Sequence, residues 1–388
     1  METEKPRNNY LITRPVGAHE IQVDSNVYIV LFDQYNSLGF RYAAPYDSQP
    51  HYFQNESEIE LLKSDLRQTF CQTFTAILFD TSGSLAVEHA IHYSQLYTKK
   101  SLVLKYISCY HGSTAAIIKL NEDALALPHC VEDALVNVPA FTYEQSILEI
   151  TDRLATLQYS GIIIDPNFCD FFIKIPDWYW TELRAICDRF GVLLIFDEMR
   201  SGFRSGQVWF INQLPIRVDI VVGAKALSNG LPFSFAAIHN NIYSSDLEIE
   251  VNKRCTGFSY NPFIISNSHS VLSTLRTLSN AQSGISKVFQ DAAAYTTSSV
   301  EFYPRGYALI ITIRSDKPVL MAALCEAKMK IEGILVYRSE NKFILYPHFN
   351  MPTQYLEEIL SKVNTIIKNT LESKPGNSVA SIKKTPGK

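Results

Sequence analysis

Between residues 75 and 240, short and continuously apolar runs alternate with longer segments whose apolar residues recur at helical spacing. That alternation predicts a largely parallel sheet covered by helices on both faces, because strands buried on two sides carry no polar face of their own. Strands are expected at 76–79, 102–106, 161–164, 192–196 and 220–222, with helices at 86–97, 147–158 and 177–190. The flanks differ in character. Residues 8–50 hold strand-like pieces at 20–23 and 28–32, and 285–370 reads as strand, helix, strand, helix, with strands at 308–313 and 342–346 and helices at 318–330 and 354–370. The expected division is a large α/β domain over 51–280 and a smaller α+β domain over 281–371 that segment 1–50 joins. A tail over 372–388, rich in Lys, Ser, Gly and Pro and without periodicity, is expected to stay solvated.

Composition narrows the function classes. Of 388 residues, 46% are hydrophobic and 19% charged, enough apolar material for a large core. The 35 Lys and Arg against 39 Asp and Glu give a formal charge of −4, which removes a general electrostatic grip on nucleic acid. The seven cysteines stand singly, with no C-x-x-C pair, so neither disulfides nor a zinc centre is expected. No signal-peptide-like or membrane-length apolar stretch is seen, and the chain reads as a soluble protein of a reducing cytoplasm.

In an open parallel sheet, ligands bind beyond the carboxyl ends of the strands. The expected strands end on Asp80, Asp165 and Asp197-Glu198, and the fifth reaches Lys225 just beyond, so acids and a lysine converge on one edge. After Asp80 comes Thr81-Ser82-Gly83-Ser84, a turn of small and hydroxyl residues opening a helix. It suits either an ordinary N-cap or an anion held by N–H groups and the helix dipole. Asp197 suits a metal ligand, a base, or the partner of a protonated ring nitrogen. Lys225, partly desolvated at a strand end, suits an imine-forming amine. Tyr110-His111-Gly112 brings an aromatic ring to the same edge, fit for stacking on a flat cofactor or for core packing. His89 and His92, three apart on an expected helix, lack a third ligand in sequence and read as helix-face residues. There is no Walker loop, no G-x-S-x-G and no G-x-G-x-x-G.

Taken in order, five stretches resemble the class-III pyridoxal-phosphate-dependent aminotransferases of fold type I, most closely the glutamate-1-semialdehyde aminomutase branch. They are GAHEIQVDSNVYIVLFDQYNSLGF (17–40), TSGSLAVEHAIHYSQLYTKKSLVLKY…CYHG (81–112), GVLLIFDEMRSGFR (191–204), DIVVGAKALSNGLPFSFAAI (219–238) and SYNP (259–262). The resemblance spans most of 10–365. It implies pyridoxal 5'-phosphate as cofactor, with Lys225 forming the lysine aldimine and Asp197 pairing with the pyridinium nitrogen. It further implies the phosphate on Ser82, Gly83 and Ser84, Tyr110 with His111 at the ring, and Met199 on the ring's other face. A homodimer is implied as well, with Thr256 or Ser259 reaching the partner's phosphate. The implied chemistry is ping-pong amino-group transfer between a small-molecule donor and a carbonyl acceptor.

The chain departs from the family pattern in several places. Leu85 replaces the acid after the phosphate turn, Asp165 stands for Glu before Pro166, and Gly257 occupies the threonine position of the partner-phosphate motif. Ile344 lies where many family transaminases carry a carboxylate-binding arginine, and Asn350 where the aminomutase branch has a glutamate. The stretch between Tyr110 and Asp165 is short, which implies a more open pocket. An intramolecular aminomutase and a catalytically silent binding subunit are the alternative readings.

Overall fold

The computed structural model describes residues 14–15, 19–23, 26–32, 56–106, 109–119, 124–125, 142–166, 175–256, 258–277 and 279–372. Gly257, residues 120–123 and 126–141 of the stretch between Tyr110 and Asp165, and the tail from 373 onward lie outside the described residues. The chain divides into two compact units, Ala44–Thr277 and the combination of Met1–Ala43 with Leu278–Lys388.

The N-terminal strands β1 (Arg14–Pro15), β2 (Glu20–Val23) and β3 (Asn26–Val30) belong to the second of these units. In the other, α1 (Glu56–Arg67) leads into β4 (Phe74–Asp80), α2 (Gly83–Thr98), β5 (Leu102–Tyr106), the short α3 (Ala115–Lys119) and β6 (Ala124–Leu125). Then follow α4 (Tyr143–Leu154), β7 (Tyr159–Ile164), α5 (Asp177–Phe190), β8 (Leu193–Asp197), β9 (Ile220–Ala224), β10 (Ser234–His239), α6 (Ser245–Asn252) and α7 (Pro262–Thr277). Seven of these strands form one sheet in the order β4-β10-β9-β8-β7-β5-β6. Only β10 runs against the rest, pairing antiparallel with both β4 and β9. The ends of β4, β7, β8 and β9 therefore meet on one edge. Ser234, the first residue of β10, sits there too, opposite both Asp80 and Ala224.

The fold is the expected α/β class with a mostly parallel sheet, and α5 and β5 have the bounds read from sequence. Two readings need correction. The fourth helix runs Tyr143–Leu154, not 147–158, because Thr142 and Gln145 form a reciprocal capping box, the Thr142 hydroxyl accepting from Gln145 N at 3.1 Å and Gln145 Oε1 from Thr142 N at 2.8 Å. Strand β10 was not expected, since an apolar run returning without a helix breaks the βαβ rhythm.

The remaining unit holds α8 (Ser279–Ala292), β11 (Val300–Arg305), β12 (Ala308–Ile313), α9 (Pro318–Ile331), β13 (Ile334–Leu335), β14 (Tyr337–Ser339), β15 (Lys342–Leu345) and α10 (Thr353–Glu372). It builds two four-stranded sheets, β1-β2-β3-β13 and β11-β12-β15-β14. Its core includes Phe289, Ile311, Phe343, Leu360 and Val363, all fully buried.

Candidate active site

Each predicted residue of the sheet edge is set there by strand register. Asp80 and Asp197 are the last residues of β4 and β8, and Asp165 and Lys225 are the first after β7 and β9. Asp80, Asp165 and Asp197 are all buried.

Asp197 is held from two sides. His111 Nδ1 lies 2.7 Å from its Oδ2, and the Met199 N–H donates to Oδ1 at 3.1 Å. An ionised carboxylate accepts about four hydrogen bonds, so Asp197 retains capacity for a further donor. His111 is itself buried, and its Nε2 has no hydrogen-bond partner among the described residues. Tyr110, next to His111 in the chain, is 63% exposed.

Lys225 opens a 3₁₀ turn, Lys225–Ser228, with its own φ at +56° in the left-handed region that disfavours a side chain. The turn is fixed from behind, where the Asn267 amide donates to Ser228 O at 3.1 Å and the Ser228 hydroxyl to Leu231 O at 2.6 Å. Burial, then Arg204 and Arg200, pull the Lys225 amine down to about 8, against Asp197 and Asp165, which act to raise it. An amine with that acidity is partly uncharged near neutral pH and therefore nucleophilic.

The turn before α2 is built for close approach. Ser82 caps the helix, its hydroxyl accepting from Leu85 N at 3.3 Å, and Gly83 and Ser84 lie in the first turn, where N–H groups have no intrahelical acceptor. A Cβ on Gly83 would stand 2.9 Å from Met199 Sδ, so the absence of a side chain at residue 83 lets the turn before α2 pack closely on the segment after Asp197. Gly112, at φ +136°, lets the 110–113 loop settle on Ser84, whose hydroxyl accepts from Ser113 N at 3.3 Å. Ser82, Gly83, Ser84, His111, Asp197 and Met199 are thus linked through direct contacts.

Thr256 and Ser259 are placed differently. The Thr256 hydroxyl lies 3.2 Å from Asp80 Oδ1 and 3.1 Å from Ser259 Oγ, so within the chain both turn toward Asp80. Ile344 is fully buried in β15, and Asn350 is exposed.

Sequence reading missed several contributors. Ser234 donates from its hydroxyl to Ser82 O at 2.7 Å, bracing the turn before α2 from the antiparallel strand. Arg200 and Arg204 bear on Lys225, and their signal was their closeness to Asp197 in DEMRSGFR. His89, read as a helix-face residue, is buried with Nε2 2.7 Å from Asp80 Oδ2, and Cys255 Sγ stands 3.7 Å from the same nitrogen. No metal-ligand spacing in the sequence joins these residues; tertiary packing brings 80, 89 and 255 together. Glu198 is buried with its carboxylate accepting from Phe210 N, Ile211 N and the Ser201 hydroxyl, which ties down the following segment.

The residues present fit pyridoxal phosphate: a helix start with small residues for a phosphate, a buried acid with spare acceptor capacity for a ring N–H, a partly exposed tyrosine beside that acid's histidine partner, and a lysine of lowered proton affinity. Comparison with known proteins points the same way. The glutamate-1-semialdehyde 2,1-aminomutase of Clostridium perfringens is 30% identical over 183 residues, 44% of this chain and 43% of that protein. The acetylornithine aminotransferase of Methanosarcina acetivorans is 29% identical over 195 residues, 47% of this chain and 48% of that one. The chain thus spans about half the length of these relatives. The ω-transaminase of Pseudomonas jessenii, solved in complex with PMP, superposes with a TM-score of 0.78 over 92% of each chain at 16% identity, which shows a shared fold type I architecture. No helix of the described residues is long and apolar enough to cross a membrane. A family model for class-III aminotransferases matches residues 48–367, most of the sequence, and this chain belongs to that family, whose members use pyridoxal phosphate.

Proposed function

We propose that the protein is a pyridoxal-phosphate-dependent aminotransferase acting between a small-molecule amino donor and a carbonyl acceptor of a specialised pathway. The observation that carries this reading is the pairing, on one sheet edge, of Lys225 with its amine lowered to about 8 and Asp197 with its carboxylate oriented by His111 and the Met199 N–H.

Ser82, Gly83 and Ser84 would hold the phosphate, Tyr110 and Met199 the two ring faces, and Asp197 the ring nitrogen. When bound, the cofactor supplies an electron sink for charge that develops at the substrate carbon. Asp197 keeps the ring nitrogen protonated, since a buried carboxylate anion favours a positive partner. His111 donates to Asp197 from Nδ1 and so fixes the direction of that carboxylate. Lys225 Nζ, uncharged in part at neutral pH, accepts the proton removed from the substrate carbon and returns it. Arg200 and Arg204 favour that uncharged form and carry positive charge beside it, suited to an anionic group on the substrate. Ile344, buried where many family transaminases present an arginine, speaks against a carboxylate clamped from β15.

The experiment is to add pyridoxal phosphate to purified protein, reduce with borohydride and map the modified peptide. Covalent label on Lys225, lost in Lys225→Ala, is expected; no label under saturating cofactor would overturn the reading and favour a silent binding subunit. A second reading, an intramolecular aminomutase, draws on the relatives that carry that name. Turnover without any separate amino acceptor supports it, and a strict need for a second substrate removes it. We also propose a homodimer, as the family resemblance implies, with a dimeric mass by light scattering as its check.

A further inference from the structure

One cluster of ligating side chains has no part in the amino-transfer scheme. A carboxylate oxygen of Asp80, a ring nitrogen of His89 and the Cys255 thiol lie within 4.8 Å of one another, supplied by the end of β4, the second turn of α2 and the segment after α6. Asp80 and His89 are buried, while Cys255 is half-buried, which gives an ion a way in. The carboxylate is already oriented by its surroundings. Its Oδ1 lies 2.6 Å from Thr81 N and 3.2 Å from each of the Thr81 and Thr256 hydroxyls, which leaves Oδ2 to face His89 Nε2 at 2.7 Å. Hydrogen bonds of this kind on the far oxygen are what orient a metal-binding carboxylate.

We propose that Asp80, His89 and Cys255 form a binding site for a divalent zinc ion, separate from the proposed cofactor site and lying beneath the phosphate turn. One oxygen, one imidazole nitrogen and one sulfur make the mixed donor set that zinc accepts. Bond lengths of about 2.0–2.3 Å place tetrahedral zinc ligands roughly 3.3–3.7 Å apart. The Cys255–His89 separation of 3.7 Å already meets this, and the Asp80–His89 contact opens by about half an ångström when the cation replaces the proton between them. On binding, Zn–O, Zn–N and Zn–S bonds form, the Cys255 S–H proton goes to solvent, and the neutral His89 imidazole binds through Nε2 with its single N–H carried on Nδ1. Water takes the fourth position. The bound ion would tie Asp80, next to the phosphate turn, to the segment that carries Thr256.

The test uses the full chain, stripped by a chelator and kept free of added pyridoxal phosphate, titrated with Co²⁺ and then with Zn²⁺. Saturation at one Co²⁺ per chain is expected, with a thiolate-to-cobalt charge-transfer band that Zn²⁺ displaces. Cys255→Ser should remove the band, Cys71→Ser should leave it, and His89→Gln should weaken affinity about tenfold or more. Absence of a thiolate band in the unaltered chain overturns the proposal, as does a band that survives Cys255→Ser. Because the readout is spectroscopic and needs no turnover, the outcome is independent of the aminotransferase reading.

Discussion

Lys225 combines a left-handed backbone with an amine held near neutrality, and each feature has a separate cause. The backbone angle follows from the tight turn between Ala224 and Ser228, whereas the acidity comes first from burial and then from Arg204 and Arg200. The uncharged amine is the nucleophile, so covalent capture of pyridoxal phosphate should accelerate as pH rises and level off above about 8. Stopped-flow measurement of capture rate against pH checks this, and an inflection near the ordinary lysine value would contradict it. Replacing Arg200 with Gln removes one of the charges opposing protonation, so the inflection should move upward.

At the scale of elements, the segment after β8 depends on one buried acid. Glu198 accepts from Phe210 N at 2.8 Å and Ile211 N at 2.9 Å, and so caps the 3₁₀ turn Phe210–Gln213. Glu198→Ala leaves those two N–H groups without their acceptor and should destabilise the protein by about 2–4 kcal/mol, measured by denaturant unfolding. Burial also pushes this carboxyl up to about 7. Between about 4.5 and 7 the native chain thus holds a proton that the unfolded chain has released, and stability falls as pH rises through that window. Relative to the unaltered protein, Glu198→Gln should flatten that slope in melting temperature against pH. The nearby Gly202 has a packing role, because a Cβ there would meet Trp209 Cζ3 at 2.7 Å and Glu198 O at 2.9 Å.

Across the whole of the Ala44–Thr277 unit, the sheet is anchored at the end opposite the site by a buried ionic network. Asp219 accepts from Arg184 Nη1 at 2.6 Å, Leu194 N at 2.8 Å and Arg217 Nε at 3.1 Å, and its own carbonyl accepts from His239 N at 2.9 Å. The network joins α5, β8, β9 and β10, the elements that carry or flank Asp197 and Lys225. Asp219→Ala leaves Arg184 with only the more exposed Asp188 as carboxylate partner and the buried Leu194 N–H without its acceptor, and should cost about 2–3 kcal/mol, with cofactor capture failing at lower denaturant concentration than in the unaltered chain.

Much of this architecture was legible in the order of residues. Continuous apolar runs ending in Asp80, Asp165, Asp197 and Lys225 announced a parallel sheet with its chemistry on one edge, because a strand buried on both faces must be apolar until it emerges. The family likeness was carried by five stretches in their order, the TSGS turn and the DEMR segment among them. Other features are contacts between distant residues, which no local pattern encodes. The antiparallel β10 brings Ser234 onto Ser82, and packing of α2 against the end of β4 turns His89 from a helix-face residue into the partner of Asp80, with Cys255 beside it. Likewise the lowered proton affinity of Lys225 depends on how deeply it is buried and on which arginines surround it. Local sequence fixes which groups are present and at which strand end they emerge; only the folded chain sets the distances and the dielectric that decide their chemistry.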